Sequence, residues 1–146
     1  MSSPRIEFRN HIVGLIKQIA DFNDGNVSLY KLDRVDSTPC ASVYLGRLTS
    51  ETEAMGGSSN RIERDLTVMV DFHSNDGTDA DAQTDAWLVE LEQLIFSSSK
   101  NGELPAGCDD AELSFAEFRP TDTSKERRGD LVTVWRVEIS ETLTAS

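Results

Sequence analysis

A chain of 146 residues has the length of one ordinary domain, long enough to close a single core. Its hydrophobic fraction of 38% and charged fraction of 27% suit a folded protein, and its longest apolar runs span only a few residues, which leaves no room for a transmembrane helix. The net charge of −12 disfavours a nucleic-acid-binding role, because an acidic surface repels phosphate.

The first residues, MSSPRIEFRNHIVGLIKQ, mix charges into their apolar positions and lack the unbroken hydrophobic centre of a signal peptide. The expectation is a protein made and kept in the cytoplasm, or in something assembled there. Ser3 and Pro4 open a first helix as N-cap and first helical residue. Ile12, Leu15, Ile16 and Ile19 continue it at helical spacing, with Phe8 and Phe22 near its ends. The run Asn23 to Asn26 (NDGN) stops it. A short strand follows from Val27 to Leu32, with Val27, Leu29 and Lys31 on one face, and DRVDSTPC turns the chain into a second strand, Ala41 to Leu48. Thr49 to Asn60, polar and without period, reads as a long loop or hairpin tip.

Arg61 to His73 is the clearest strand: Leu66, Val68, Val70 and Phe72 form an apolar face, and Asp65, Thr67, Met69, Asp71 and His73 the other. After an Asp76-Gly77 turn, a second helix runs from about Asp79 to Ser97 with Trp87, Leu88, Leu91, Leu94 and Ile95 as its buried stripe. A second loop covers about residues 97–111. Glu112 to Phe118 is a short strand with Leu113 and Phe115 on one side, and a third loop covers about residues 119–130. Leu131 to Leu143 is a final long strand in a largely covered position. The order α-β-β-β-α-β-β, without internal repeat or linker, predicts a single α+β domain: an antiparallel or mixed sheet of about five strands with two main helices packed on it.

The charge is unevenly placed. Residues 71–117 hold twelve acidic residues and one basic residue, Lys100, a net −11; the other 99 residues hold fourteen acidic and thirteen basic, a net −1. The segment begins DFHSNDGTDADAQTD, which invites a metal-site reading. With Gly77 at the sixth position of a calcium loop, the first position is Phe72 and the twelfth Gln83, so the pattern fails at both ends. A looser oxygen cage of Asp76, Asp79 and Asp81 competes with a plainer account, in which Thr78 or Asp79 caps the helix and first-turn aspartates complement its dipole. That dipole term is worth about 0.3–1 kcal/mol per charge and does not require so many aspartates. Two histidines, His11 and His73, and two distant cysteines, Cys40 and Cys108, make no zinc motif; both cysteines read as small core or loop residues without a disulfide. No nucleophile elbow or phosphate-binding glycine loop is present, and an Asp71/His73 pair on one strand face lacks an evident nucleophile. Arg128-Gly129-Asp130 matches an adhesion tripeptide, which reads as a turn. Lys125 to Arg128 (KERR) is the one dense basic cluster, placed to meet an acidic surface on a neighbouring copy.

The order of elements and several stretches carry a resemblance. A first helix leads to ASVYLGRLTSETE and a polar loop; RIERDLTVMVDFH leads into DAQTDAWLVELEQLIF; and the chain closes on GDLVTVWRVEIS. In this layout, from Arg5 to Thr142, the chain resembles the tail terminator (tail completion) proteins of long-tailed bacteriophages, the minor-tail-protein-U type and its relatives. The resemblance implies a non-enzymatic virion subunit without cofactor, assembled in the host cytoplasm and placed at the head-proximal end of the tail. Such subunits form a ring, commonly a hexamer, that caps the tail tube, ends its polymerisation and docks with the head's connector, while DNA passes through the centre without specific binding. The longer third loop, Arg119 to Asp130, departs from the compact version of the pattern.

The expected contacts to neighbouring subunits or partners are Glu51, Glu53, Arg61 and Arg64 around the first loop, Asp76, Asp79 and Asp81 in the acidic turn, and Lys125, Arg127 and Arg128 in the basic cluster. Three other readings stand beside the terminator. These are another head–tail joining or neck protein, an acidic DNA mimic that occupies a basic groove, and a small hydrolase or metal enzyme using Asp71, His73 and Asp76.

Overall fold

Seven elements follow one another: α1 (Pro4–Ile16), β1 (Val27–Ser28), β2 (Cys40–Ala54), β3 (Ser59–Ser74), α2 (Ala80–Lys100), β4 (Cys108–Thr123) and β5 (Glu126–Thr144). The structure, a computed structural model, describes residues 3–32, 35, 38–54, 59–74, 79–123 and 126–144, with backbone alone at 52–54, 59, 120–123 and 126–128. The strands form one mixed sheet in the order β1-β2-β3-β5-β4, with β1 parallel to β2 and the other pairs antiparallel. This is the α+β fold that the order of elements predicts.

Both helices lie on the same face of the sheet. On β3, Leu66, Val68, Val70 and Phe72 are buried, and the register sets them beside Val137, Trp135, Thr133 and Leu131 of β5. Ala41 and Val43 of β2 extend the same layer. Phe8, Ile12, Leu15 and Ile16 of α1 and Trp87, Leu91 and Ile95 of α2 complete the core from the helix side. Phe22, Phe72 and Trp87 meet as a trio of rings, with centroids 4.8 Å apart for Phe22–Trp87 and 5.8 Å for Phe72–Trp87. Polar groups taken into this layer are satisfied. The Trp135 indole N–H donates to Thr133 Oγ1 at 2.8 Å, that hydroxyl donates to the Val70 carbonyl at 2.8 Å, and Trp87 donates to Asp21 at 2.7 Å.

Helix ends follow local chemistry. The Ser3 hydroxyl accepts from Ile6 N at 3.4 Å, and Asp79, rather than Thr78, caps α2 by accepting from Ala82 N at 3.0 Å. Helix α1 stops at Ile16, earlier than its apolar spacing suggests: Ile19 and Phe22 are buried, but from the turns that follow the helix. The first strand shortens to Val27–Ser28, and Leu29, expected within it on the same face as Val27, lies beyond it, 45% exposed.

The three expected loops shrink most. Residues 49–54 and 59–60 belong to the β2–β3 hairpin, 119–123 and 126–130 to the β4–β5 hairpin, and 97–100 to α2, while 108–111 begin β4. In the hairpins the backbone ladder continues through cross-strand partners such as Thr49↔Asp65, Ser50↔Arg64 and Glu51↔Glu63. Ladder hydrogen bonds need no apolar alternation, so these strands leave no hydrophobic period. At the end of α2, burial of Ser98 and a bond from Ser99 Oγ to Asp110 at 2.9 Å hold a serine run in helix. A register shift between Leu113 and Phe115 also separates two residues expected on one side: Leu113 packs against the core, and Phe115 is 52% exposed.

Two glycines mark close approaches. A side chain at Gly46, within the β2 bulge, would meet Thr67 Oγ1 at 2.6 Å, the oxygen that accepts from Arg47 N. A side chain at Gly129 would meet the Ala80 methyl at 2.6 Å. The adhesion-like tripeptide is thus strand rather than turn, its glycine buried beneath the start of α2 and its Asp130 bonded to His73.

Phe72→Ala removes the ring that joins the aromatic trio to the sheet and is expected to destabilise the fold by about 3–5 kcal/mol. Urea unfolding reads this as a lowered midpoint at unchanged slope; a midpoint like the wild type's would contradict the packing described.

Candidate assembly surface

Alternation places every second residue of four long strands on the face that carries no helix. The register aligns these residues in rows across β2, β3, β5 and β4: Cys40–His73–Asp130–Arg119, then Ser42–Asp71–Val132–Glu117, then Tyr44–Met69–Val134–Phe115. Further along come Thr67, Arg136 and Glu112, followed by Asp65 and Glu138; Asp110, opposite Glu138 in the register, gives its carboxylate to Ser99 of α2 instead. Glu51, Glu63 and Arg61 continue the same side into the β2–β3 hairpin. The face therefore has an apolar row in its middle, a buried polar patch at one end and a charged field at the other.

At the polar end, His73 Nδ1 donates to Asp130 Oδ1 at 2.8 Å, which fixes the imidazole tautomer. The Tyr44 hydroxyl donates to Asp71 Oδ2 at 2.8 Å, while Asp71 Oδ1 and the neighbouring Ser42 Oγ are buried without a hydrogen-bond partner among the described residues. Burial pushes the Asp71 carboxyl above its ordinary range, outweighing the Tyr44 bond and the charges of His73, Lys31 and Arg119 that act the other way. Burial, and then the bond to Asp71, raise the Tyr44 hydroxyl well above the usual phenol range. Asp71 and His73 share a face as their spacing predicts, but each is engaged by a different partner.

At the charged end Arg136 is the hub. Its guanidinium meets Asp65 at 3.0 Å and Glu112 and Glu138 at 3.3 Å each, and the Asp65 carboxylate first among these holds it above the usual arginine range. Arg119 pairs with Glu117 at 2.7 Å and Arg61 with Glu63 at 3.1 Å. These exposed pairs contribute little to stability but fix where charge sits.

The expected contact residues do not converge on one surface. Glu51 and Arg61 lie on the open face of the β2–β3 hairpin. Arg64 points to the helix side, where it pairs with Glu141 at 2.6 Å and its guanidinium donates to Ser50 Oγ at 2.9 Å, both charged side chains mostly covered. Asp79 and Asp81 sit at the start of α2, one as its cap and the other exposed in its first turn. Asp76 and Lys125 lie outside the described residues, as do the side chains of Glu53, Arg127 and Arg128. Arg136, Asp65, Glu112, Glu138 and Tyr44 were not among the expected contacts. The alternation of Leu131 to Leu143 was the available signal for Arg136 and Glu138, since it sets them opposite Trp135 and Val137.

Among the described residues, no three His, Cys, Asp or Glu side chains are grouped to hold a metal ion, and no helix is long and apolar enough to cross a membrane. Neither cysteine is in a disulfide. Cys108, its sulfur 3.8 Å from the Pro4 carbonyl oxygen, has its thiol pushed up to about 11, chiefly by burial. No protein-family model and no curated protein sequence matches the chain.

Two substitutions test the buried patch. Tyr44→Phe strips Asp71 of its hydroxyl donor and is expected to cost about 1–3 kcal/mol at neutral pH. Asp71→Asn keeps the shape and an acceptor oxygen but removes the buried charge. A carboxyl raised in the folded state gives stability that is present in acid and lost as pH rises through the raised value. Asp71→Asn should therefore gain on the wild type as pH rises through that window and lose the advantage below the ordinary carboxylate range. Unfolding curves across the window check both; a constant difference between Asp71→Asn and wild type would show that burial does not perturb Asp71.

Proposed function

We propose that the chain is a structural subunit of a bacteriophage tail terminator, which assembles into a ring that caps the tail tube, ends its polymerisation and joins it to the head connector. The observation that carries the reading is the uncovered sheet face, where Tyr44, Met69, Val134 and Phe115 form an apolar row between a buried polar patch and a charged field, and Phe115 is left 52% exposed. A surface of that kind is suited to being covered by another chain. The layout of elements agrees with the resemblance in the sequence, and the hairpins supply polar edges for contacts that leave the core undisturbed.

Head-to-tail contacts between unlike surfaces close a ring, and an acidic lining lets DNA pass without adhering. The carboxylates at 51, 63, 65, 112 and 138 on the open face suit that lining wherever the apolar row is not itself in contact. In this reading the protein works without catalysis or cofactor and resides at the head-proximal end of the virion tail. Another neck or head–tail joining protein would use the same surface. The DNA-mimic reading draws on the same carboxylates, but Arg61, Arg119 and Arg136 interrupt them, which a phosphate array does not do.

Sedimentation of the full chain, alone and with purified tail tubes, should give a closed oligomer and tubes of fixed length. Phe115→Asp should weaken assembly by at least about tenfold, the effect of losing about 1.4 kcal/mol, without lowering the melting temperature. A chain that stays monomeric with tubes present, and leaves their length unaffected, would rule the terminator out.

A further inference from the structure

The outer side of α2 carries a pattern that neither the core nor the open sheet face uses. Trp87, Leu91 and Ile95 face inward, buried. On the opposite side Ala82, Ala86, Val89, Gln93, Phe96 and Lys100 follow one another at alternating spacings of four and three, all exposed, Val89 at 60% and Phe96 at 56%. That spacing is the seven-residue repeat with which one helix packs along another. Ala86, Val89, Gln93 and Phe96 line an open groove, and the Lys100 ammonium sits 5.5 Å from the Phe96 ring centre. Asp81, Asp85, Glu90 and Glu92 flank the seam, and no basic residue occurs on the helix before Lys100.

We propose that this seam docks a basic amphipathic helix of a partner protein, its apolar residues set against Val89 and Phe96 and its lysines or arginines against the flanking carboxylates. Charge selects this occupant over a second copy of the chain. Two antiparallel copies would set Ala86 opposite Phe96, but would gather Glu90 and Glu92 of both chains at the two-fold axis. Two parallel copies would stack each acid on its own counterpart. A helix with basic flanks meets every one of these carboxylates with opposite charge, which favours encounter and fixes register. The apolar seam supplies the contact area, as in other complexes where a groove receives an amphipathic helix. The site lies across the molecule from the open sheet face and does not depend on ring assembly.

The test uses the full chain and a fluorescent synthetic helix of three heptads, with leucine at the seam positions and lysine and arginine at the flanks. Fluorescence anisotropy should show saturable one-to-one binding that weakens as salt is raised. Val89→Glu and the pair Glu90→Gln with Glu92→Gln should each reduce affinity by at least tenfold. Glu112→Gln with Glu117→Gln, on the open sheet face, should leave it unchanged. These side chains are exposed, so thermal melting should match the wild type. The proposal is overturned if the basic helix does not saturate, if Val89→Glu leaves binding intact, or if the open-face pair abolishes it. Equal binding of a helix with the same seam and acidic flanks would overturn it too. Sedimentation showing a dimer that Val89→Glu disrupts would assign the seam to a second copy instead. Tube capping can fail while this binding succeeds, and the reverse, so the two readings are judged separately.

Discussion

The two helices cover one face of the sheet and leave the other open, and this one-sidedness governs the molecule more than any single contact. A strand has a period of two, so covering one face assigns each residue to the core or to the surface by parity. On β3 and β5 the assignment holds across the central run, where Leu66 to Val70 and Leu131 to Ile139 alternate buried residues with more exposed ones. Where a polar group falls on the buried parity, a neighbour answers it: Thr133 takes the Trp135 indole proton and returns its own to the Val70 carbonyl. Where polar groups are buried on the open parity, at Ser42 and Asp71, satisfaction is partial and the Asp71 carboxyl responds by holding its proton more tightly.

The same geometry distributes the charge. A single acidic segment in the sequence becomes two surfaces in the fold. Asp81, Asp85, Glu90 and Glu92 go to the outer side of α2, and Asp71, Glu112 and Glu117 to the open side of the sheet. The core layer lies between them, so the two fields address different surroundings. They also differ in chemistry. The sheet field is interrupted by arginines that its carboxylates hold in place, whereas the helix field has no basic residue of its own until Lys100.

The fold class, the element order and the core were legible in the sequence because each rests on a period. Leu66 to Phe72 alternate, and Trp87, Leu91 and Ile95 recur at helical spacing. The loops were less legible because a period vanishes where no apolar layer lies beneath. TSETEA reads as loop, yet it is strand, held by its ladder to Asn60 through Asp65. The bulge that parts Leu113 from Phe115 was equally silent, since an extra residue changes parity without changing composition. Of the surface, the sequence disclosed the quantity of acid but not its division. That division depends on the chain turning over between β3 and α2 and again between α2 and β4.

The contact between Gly129 and Ala80 has a consequence for how this sequence can drift. The hairpin strand β5 passes so close to the first residue of α2 that a methyl group on the strand would stand 2.6 Å from the methyl on the helix. Position 129 is not free to gain a side chain while alanine stands at 80. A change to alanine at 129 is tolerated only beside glycine at 80, or with the helix displaced from the sheet. Position 129 therefore depends on the residue at 80 across nearly fifty residues of chain, and relatives of this protein should carry a side chain at 129 only where 80 is glycine or the helix stands farther from the sheet.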